Sequence, residues 1–144
     1  MGYHDIPVIK RPIVCVSGGF DFPHFGHTRL FEEAAQHGSL IVILNSDGWL
    51  VRKKGYKIMD WHGRCEVLKA FKHVQEVSGV NDMDGTVCEA LERIKPDYFA
   101  NGGDRTDKNT PEKELCEKLG IKMLWNIGGG KATSSQELCE KIRP

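Results

Sequence analysis

Residues 13–27 read Ile13-Val14-Cys15-Val16-Ser17-Gly18-Gly19-Phe20-Asp21-Phe22-Pro23-His24-Phe25-Gly26-His27. The β-branched apolar run at its start has the composition of a buried strand. From about Gly26 onward, apolar residues return at helical spacing, with Leu30, Phe31, Ala34 and Ala35 on one face. The stretch between is therefore a strand-to-helix turn made of small residues and carrying two histidines. Helix-start amides lack intrahelical partners and the helix dipole favours negative charge there, so a phosphate suits this turn.

Working outward, strand and helix patterns alternate along the chain. Strands are predicted at 13–16, 40–44, 74–77, 98–100 and 121–125, and helices at 26–37, 61–71, 86–94, 111–119 and from Ser134 onward. Gly38 and Gly120 supply C-terminal stops for the first and fourth helices. Thr86 with Glu89, and Ser134 with Glu137, read as capping boxes. Residues 45–60 read as a polar connection carrying Arg52, Lys53, Lys54 and Lys57. The run Leu40-Ile41-Val42-Ile43-Leu44 is uninterrupted, as in a strand covered on both faces. The expected fold is α/β, a Rossmann-like doubly wound five-stranded parallel sheet forming a single domain over residues 1–144. Such sheets bind ligands at the carboxyl ends of their strands, near the point where strand order reverses. The loops after the first, fourth and fifth strands carry Gly18-Gly19, Gly102-Gly103 and Gly128-Gly129-Gly130. They are expected to bring backbone close to one shared ligand.

Composition narrows the function. The chain has 144 residues, with 20 Lys plus Arg against 20 Asp plus Glu. A zero net charge argues against a broad nucleic-acid surface. No apolar run is long enough to span a membrane, and the N-terminal stretch lacks a hydrophobic signal core. Met1-Gly2 is followed by Ile6 where a myristoylation site needs Ser or Thr. The five cysteines (15, 65, 88, 116 and 139) show no CxxC spacing and are expected to be reduced packing residues of a cytoplasmic protein.

His24 and His27 lie three residues apart and share a helix face. They could be capping or surface histidines, a zinc pair, or donors to a phosphate. Zinc needs further ligands, and no HExxH or cysteine cluster provides them. The preceding strand and the glycines around them favour phosphate. Gly130-Lys131-Ala132 is not a P-loop, because Ala132 stands where Ser or Thr is required. No GxGxxG fingerprint is present.

Taken together, Gly19-Phe20-Asp21-Phe22-Pro23-His24-Phe25-Gly26-His27 resembles the HxGH signature of the cytidylyltransferase-like nucleotidylyltransferases. The resemblance runs along nearly the whole chain. Asn45-Ser46-Asp47, the basic Lys53-Lys54-Gly55, Arg64, Lys95-Pro96-Asp97, Gly102-Gly103-Asp104 and Thr133-Ser134-Ser135 fall in the family's order. The pattern is nearest to heptose-phosphate adenylyltransferases and glycerol-phosphate cytidylyltransferases. It implies transfer of a nucleoside monophosphate from NTP to a phosphorylated sugar or polyol with release of pyrophosphate. The family's RTEGIST-type signature is absent, since Gly128-Gly129-Gly130-Lys131-Ala132-Thr133-Ser134-Ser135 stands in its place. That departure favours ATP over CTP. A CTP-dependent enzyme acting on glycerol phosphate or choline phosphate is the alternative. A nucleotide-binding module without the reaction is the reading from another class.

The resemblance implies His24, His27, Lys53 and Arg64 as catalytic residues. It implies Gly18, Gly19, Phe20, His24, His27, Gly102, Gly103, Asp104, Thr133, Ser134 and Ser135 as nucleotide contacts. Asp21, Asp47, Trp49 and Lys54 would face the acceptor. Mg²⁺ would arrive on the nucleotide, with no metal site built by the protein. A homodimer is implied by the family alone.

Overall fold

The computed structural model describes residues 9–102 and 110–128. Its elements are β1 (Ile13–Gly18), α1 (Phe25–Ala34, extended by a 3₁₀ turn at Ala35–His37), β2 (Ser39–Leu44), α2 (Asp47–Lys54), α3 (Trp61–Lys69), β3 (Val74–Ser78), α4 (Cys88–Ile94), β4 (Tyr98–Gly102), α5 (Thr110–Leu119) and β5 (Lys122–Ile127). The five strands form one parallel sheet in the order β3-β2-β1-β4-β5. The order reverses between β1 and β4, so the turn after β1 lies at the switch point.

Side chains alternate across the strands and build a core on each face. Val14, Val16, Leu40, Val42 and Leu44 pack with Phe31 and Ala34 of α1 and with Cys65 and Leu68 of α3. Cys15, Ile41, Ile43 and Phe99 pack with Ala90 and Leu91 of α4 and with Cys116 of α5. Helices thus cover both faces, as the apolar run in β2 predicts. Each such fully buried aliphatic side chain contributes roughly 1.5–3 kcal/mol. Burial pushes the Cys15 thiol up to about 12 and the Cys116 thiol up to about 11, which leaves both protonated and unreactive. The described cysteines are all free thiols.

Two local expectations need correction. Residues 47–54 are helical rather than a loop. Ser46 accepts from Trp49 N at the start of α2, and Gly55 closes it in the left-handed conformation at φ 86°. The Thr86–Glu89 capping box does not form. Glu89 accepts instead from Asn81 N and pairs with Arg93, while Glu112 of α5 reaches over to accept from Val87 N, the cap position of α4. At the far end of the sheet, Asp97 Oδ2 accepts from Ile13 N at 2.8 Å and from Arg11 at 3.0 Å. The Lys95-Pro96-Asp97 segment therefore ties β1 to β4 away from the switch point. Among the described residues no helix is long and apolar enough to cross a membrane.

Candidate active site

The turn after β1 is built around its histidines. His24 is the N-cap of α1, and its Nδ1 accepts from Gly26 N at 3.1 Å. His24 N in turn donates to His27 Nδ1 at 3.0 Å. This is the reciprocal logic of a capping box, with two imidazoles in place of Ser and Glu. The rings stack with centroids 3.8 Å apart. Because each Nδ1 receives a backbone N–H, each neutral ring carries its proton on Nε2. Two Nε2–H donors are therefore held side by side at a helix N-terminus. Burial, followed by repulsion from His24 when that ring is protonated and from Lys54, lowers the His27 pKa to about 3. His27 is neutral at pH 7 and donates without being a cation. Phe20, with its backbone at φ 47°, sets its buried ring edge-on against His27 at 4.8 Å and against Phe31 at 5.5 Å. It supports the histidine from within the core.

Arg64 lies on α3 and is completely buried. Its Nη1 donates to Gly19 O at 2.6 Å and to Asn45 O at 3.0 Å, its Nε to Met59 O at 3.1 Å, and its Nη2 to Asp47 Oδ1 at 2.7 Å. These four hydrogen bonds make Arg64 a tie that joins the β1 turn, the end of β2, α2 and the α2–α3 connection. Asp21 makes a second clamp. It is buried, and its two oxygens accept from Ile58 N at 2.6 Å and Met59 N at 2.7 Å. It fastens the histidine turn to the same connection. Asp47 is shared between Arg64 and Lys57; burial opposes its charge, but these partners hold its carboxyl below the usual range.

The glycines also have a protein-side cause. A Cβ on Gly19 would stand 2.6 Å from Leu50 Cδ2 of α2, and one on Gly102 would stand 3.1 Å from Leu30 Cδ1 of α1. Gly128, at φ 87°, would meet Leu30 Cα at 2.9 Å. Close approach of helices, and not only of a ligand, accounts for these three positions. A Cβ on Gly18 would meet the Phe20 ring at 3.1 Å. Gly102 ends β4 beside the switch point, whereas Gly103, Asp104, Thr133, Ser134 and Ser135 lie outside the described residues, as do Gly129, Gly130 and Lys131.

The last turn of α2 holds Arg52, Lys53 and Lys54. Lys53 Nζ sits 4.6 Å from the centroid of the Trp49 ring, which is half-buried on the same helix. Lys54 instead contributes to the field at His27. The structure thus brings Lys54 toward the histidines. Sequence reasoning missed Asp82, which follows β3 and is buried. It accepts from Asn45 Nδ2 at 2.9 Å, Ser46 N at 2.9 Å and Ser46 Oγ at 2.6 Å, and so shapes the turn that launches α2. Burial works against its charge, but these hydrogen bonds hold its carboxyl below the ordinary value. An aspartate just past a strand's carboxyl end was the available signal. Among the described residues no group of three or more His, Cys, Asp or Glu is arranged to hold a metal ion.

Comparison with known proteins agrees with this geometry. Residues 15–127 match the family model described as cytidylyltransferase-like. The chain is 36% identical over 114 residues to an FAD synthase of Methanobrevibacter ruminantium, covering 76% of this chain and 74% of that protein. It is 31% identical over 129 residues to the bifunctional protein HldE of Syntrophotalea carbinolica, covering 87% of this chain but only 26% of that protein. The chain thus spans about a quarter of the length of the HldE relatives it matches. A lipopolysaccharide core biosynthesis protein from Thermoplasma volcanium superposes with a TM-score of 0.67 at 25% identity, over 80% of this chain and 94% of that one. The paired histidines at the switch point, the parallel sheet around them and the match across residues 15–127 lead to one conclusion: the chain belongs to the cytidylyltransferase-like family of nucleotidyltransferases.

Proposed function

We propose that this chain transfers AMP from ATP to the phosphate of a small acceptor and releases pyrophosphate. The observation that carries the proposal is the pair of Nε2–H donors fixed at the N-terminus of α1 by backbone bonds to both Nδ1 atoms. An acceptor phosphomonoester is largely dianionic at pH 7, because its second pKa is near 6. It needs no general base. One of its oxygens forms a bond to the α-phosphorus while the bond from that phosphorus to the bridging oxygen breaks, and pyrophosphate leaves with the electron pair. The protein's task is to align two anions and to stabilise the charge that grows on the α- and β-phosphates. The His24 and His27 donors, the α1 amides and the Lys54 ammonium suit that task. Arg64 and Asp21 hold the histidine turn and the basic helix in one frame.

Magnesium belongs to this reading as part of the nucleotide substrate. Asp21, Asp47 and Asp82 are each engaged by protein donors, so phosphate oxygens would supply the ion's ligands. ATP is favoured over CTP because FAD, the product named for one set of relatives, is AMP joined to FMN through a phosphoanhydride. A sugar or polyol phosphate is the acceptor suggested by the heptose-like sequence pattern. FMN is the second reading, favoured because the chain covers 74% and 83% of two FAD synthases.

The test is a screen of purified protein with each NTP against heptose, glycerol, ribitol, choline and flavin phosphates, read as pyrophosphate release. Turnover with ATP and one acceptor is expected. Turnover with CTP alone would move the proposal to a cytidylyltransferase, and none with any pair would indicate a nucleotide-binding module.

A further inference from the structure

We propose that Arg52 and Asp82 form a strap that sets the direction of α2, so that both are positioning residues for Lys54. The inference rests on the transfer reading above, in which the Lys54 ammonium meets the phosphates. Helix α2 has eight residues, and Leu50 is its buried one. A single apolar side chain pins a helix at a point and leaves its axis free to tilt. Eight residues rise about 12 Å, so a tilt of about 20° around the first turn carries Lys54 roughly 4 Å. Phosphoryl transfer depends on alignment at a finer scale than that. The axis therefore needs polar ties as well.

Asp82 provides them at two places. Its carboxylate holds the start of α2 through Asn45 Nδ2, Ser46 N and Ser46 Oγ. Its carbonyl takes the other tie: Arg52, in the last turn of α2, donates from Nη2 to Asp82 O at 2.8 Å. The same nitrogen lies 3.9 Å from Asp82 Oδ1. To reach that point the Arg52 side chain runs back along its own helix. Gly48, four residues earlier, leaves the path open, since a Cβ there would stand 3.2 Å from Arg52 Nη1. Glycine within a helix is unfavourable relative to alanine, and the crossing guanidinium gives this one a use. Asp82 is itself braced. Its carbonyl also accepts from Gly85 N at 2.9 Å, and the adjacent Asn81 N donates to Glu89 of α4. The Arg52 side chain is 46% exposed, against 3% for Asp82. An ion pair so open to water adds little to overall stability, so the strap serves direction. Lys54 is two residues beyond Arg52, and its charge acts on His27.

A double-mutant cycle on the full chain tests the strap. Asp82→Ala would strand buried donors and threaten the fold, so the cycle uses Arg52→Ala, with Asp82→Asn as its second arm. Arg52→Ala should lower kcat/KM about three- to tenfold, no more than Lys54→Ala does. The Arg52→Ala/Lys54→Ala pair should be no slower than Lys54→Ala alone, because the strap acts through that lysine. Asp82→Asn should show the same lack of additivity. Losses that multiply would overturn the proposal and make Arg52 a phosphate contact in its own right. Unchanged kcat/KM in Arg52→Ala would overturn it too. So would a loss in Arg52→Ala where Lys54→Ala has none; transfer would then stand without the strap. ATP affinity, measured by calorimetry, repeats the cycle without turnover. A wild type that binds ATP but releases no pyrophosphate removes the transfer reading. Non-additive losses of ATP affinity would then still support the strap, and multiplying ones would overturn it. A wild type that does not bind ATP would overturn both.

Discussion

Arg64 donates to Asp47 Oδ1 at 2.7 Å from a site with no solvent exposure, although Asp47 itself reaches the surface. The pair joins α3 to the first turn of α2, and the remaining guanidinium donors hold carbonyls of three other segments. Removing one partner strands a buried charge or several buried carbonyls, which is far costlier than losing a surface pair. Arg64→Ala should therefore lower unfolding stability by about 3–5 kcal/mol in denaturant titration. A variant of wild-type stability with only a raised substrate KM would return Arg64 to direct phosphate contact.

At the histidines, cap and chemistry can be separated. Asn is among the best N-cap residues, but it lacks the Nε2–H donor. His24→Asn should keep the stability of α1, whereas His24→Ala should lose about 0.5–2 kcal/mol. Both should lower kcat by about 10²–10³, as should His27→Ala. Paired melting curves and turnover numbers check this, and near wild-type turnover would remove the histidines from the reaction.

His27 gives the fold a defined pH dependence. Its pKa falls from 6.5 to about 3 on folding, chiefly because burial disfavours the charged ring. Below pH 6.5 the unfolded chain takes up a proton that the folded chain refuses until about pH 3. Stability from this group is complete above the unfolded value and is lost as pH falls, by up to about 1.4 kcal/mol per unit. The melting temperature of the wild type should climb across that window more steeply than that of His27→Gln. Equal slopes would show that His27 titrates normally in the folded chain.

The two lysines at the end of α2 should differ. Lys54 acts on His27, while Lys53 lies over Trp49. Lys54→Ala should cost about tenfold in kcat/KM, a loss of ~1.4 kcal/mol in transition-state binding. Lys53→Ala should cost less. The reverse order in steady-state kinetics would show that Lys53 swings away from Trp49 to meet substrate.

Gly19 tests the contact between the turn and α2. Gly19→Ala sets a methyl 2.6 Å from Leu50, which is itself fully buried. A loss of about 1–3 kcal/mol is expected. Combining it with Leu50→Ala should cost less than the sum of the two single changes. Strict additivity would mean that the methyl is accommodated elsewhere.

Strands β1 and β2 were legible because their apolar runs are short and β-branched, and the other three because short apolar or alternating stretches fall between helix patterns and turn signals. The HxGH turn was legible because its residues are contiguous. Helix α2 was not, since Leu50 is its only buried residue and its surface is charged; the Ser46 cap and the Gly55 stop were the usable marks. The burial of Arg64 could not be read, because the carbonyls of Gly19, Asn45 and Met59 converge only after folding. Thr86 and Glu89 had the right spacing, but Asn81, Arg93 and Glu112 offered better partners in space. Glycine spacing suggested a ligand at positions that neighbouring helices also require.

The mutual capping of His24 and His27 has an evolutionary consequence. Their rotamers are settled when the first turn of α1 forms, so the freedom a loose pair would surrender to a triphosphate is already gone before any encounter. Drift in base or acceptor preference can run through residues outside that pair without disturbing it. A change at either histidine that does not restore the cap meets a folding penalty first, which shields the reaction while leaving its choice of substrates open to selection.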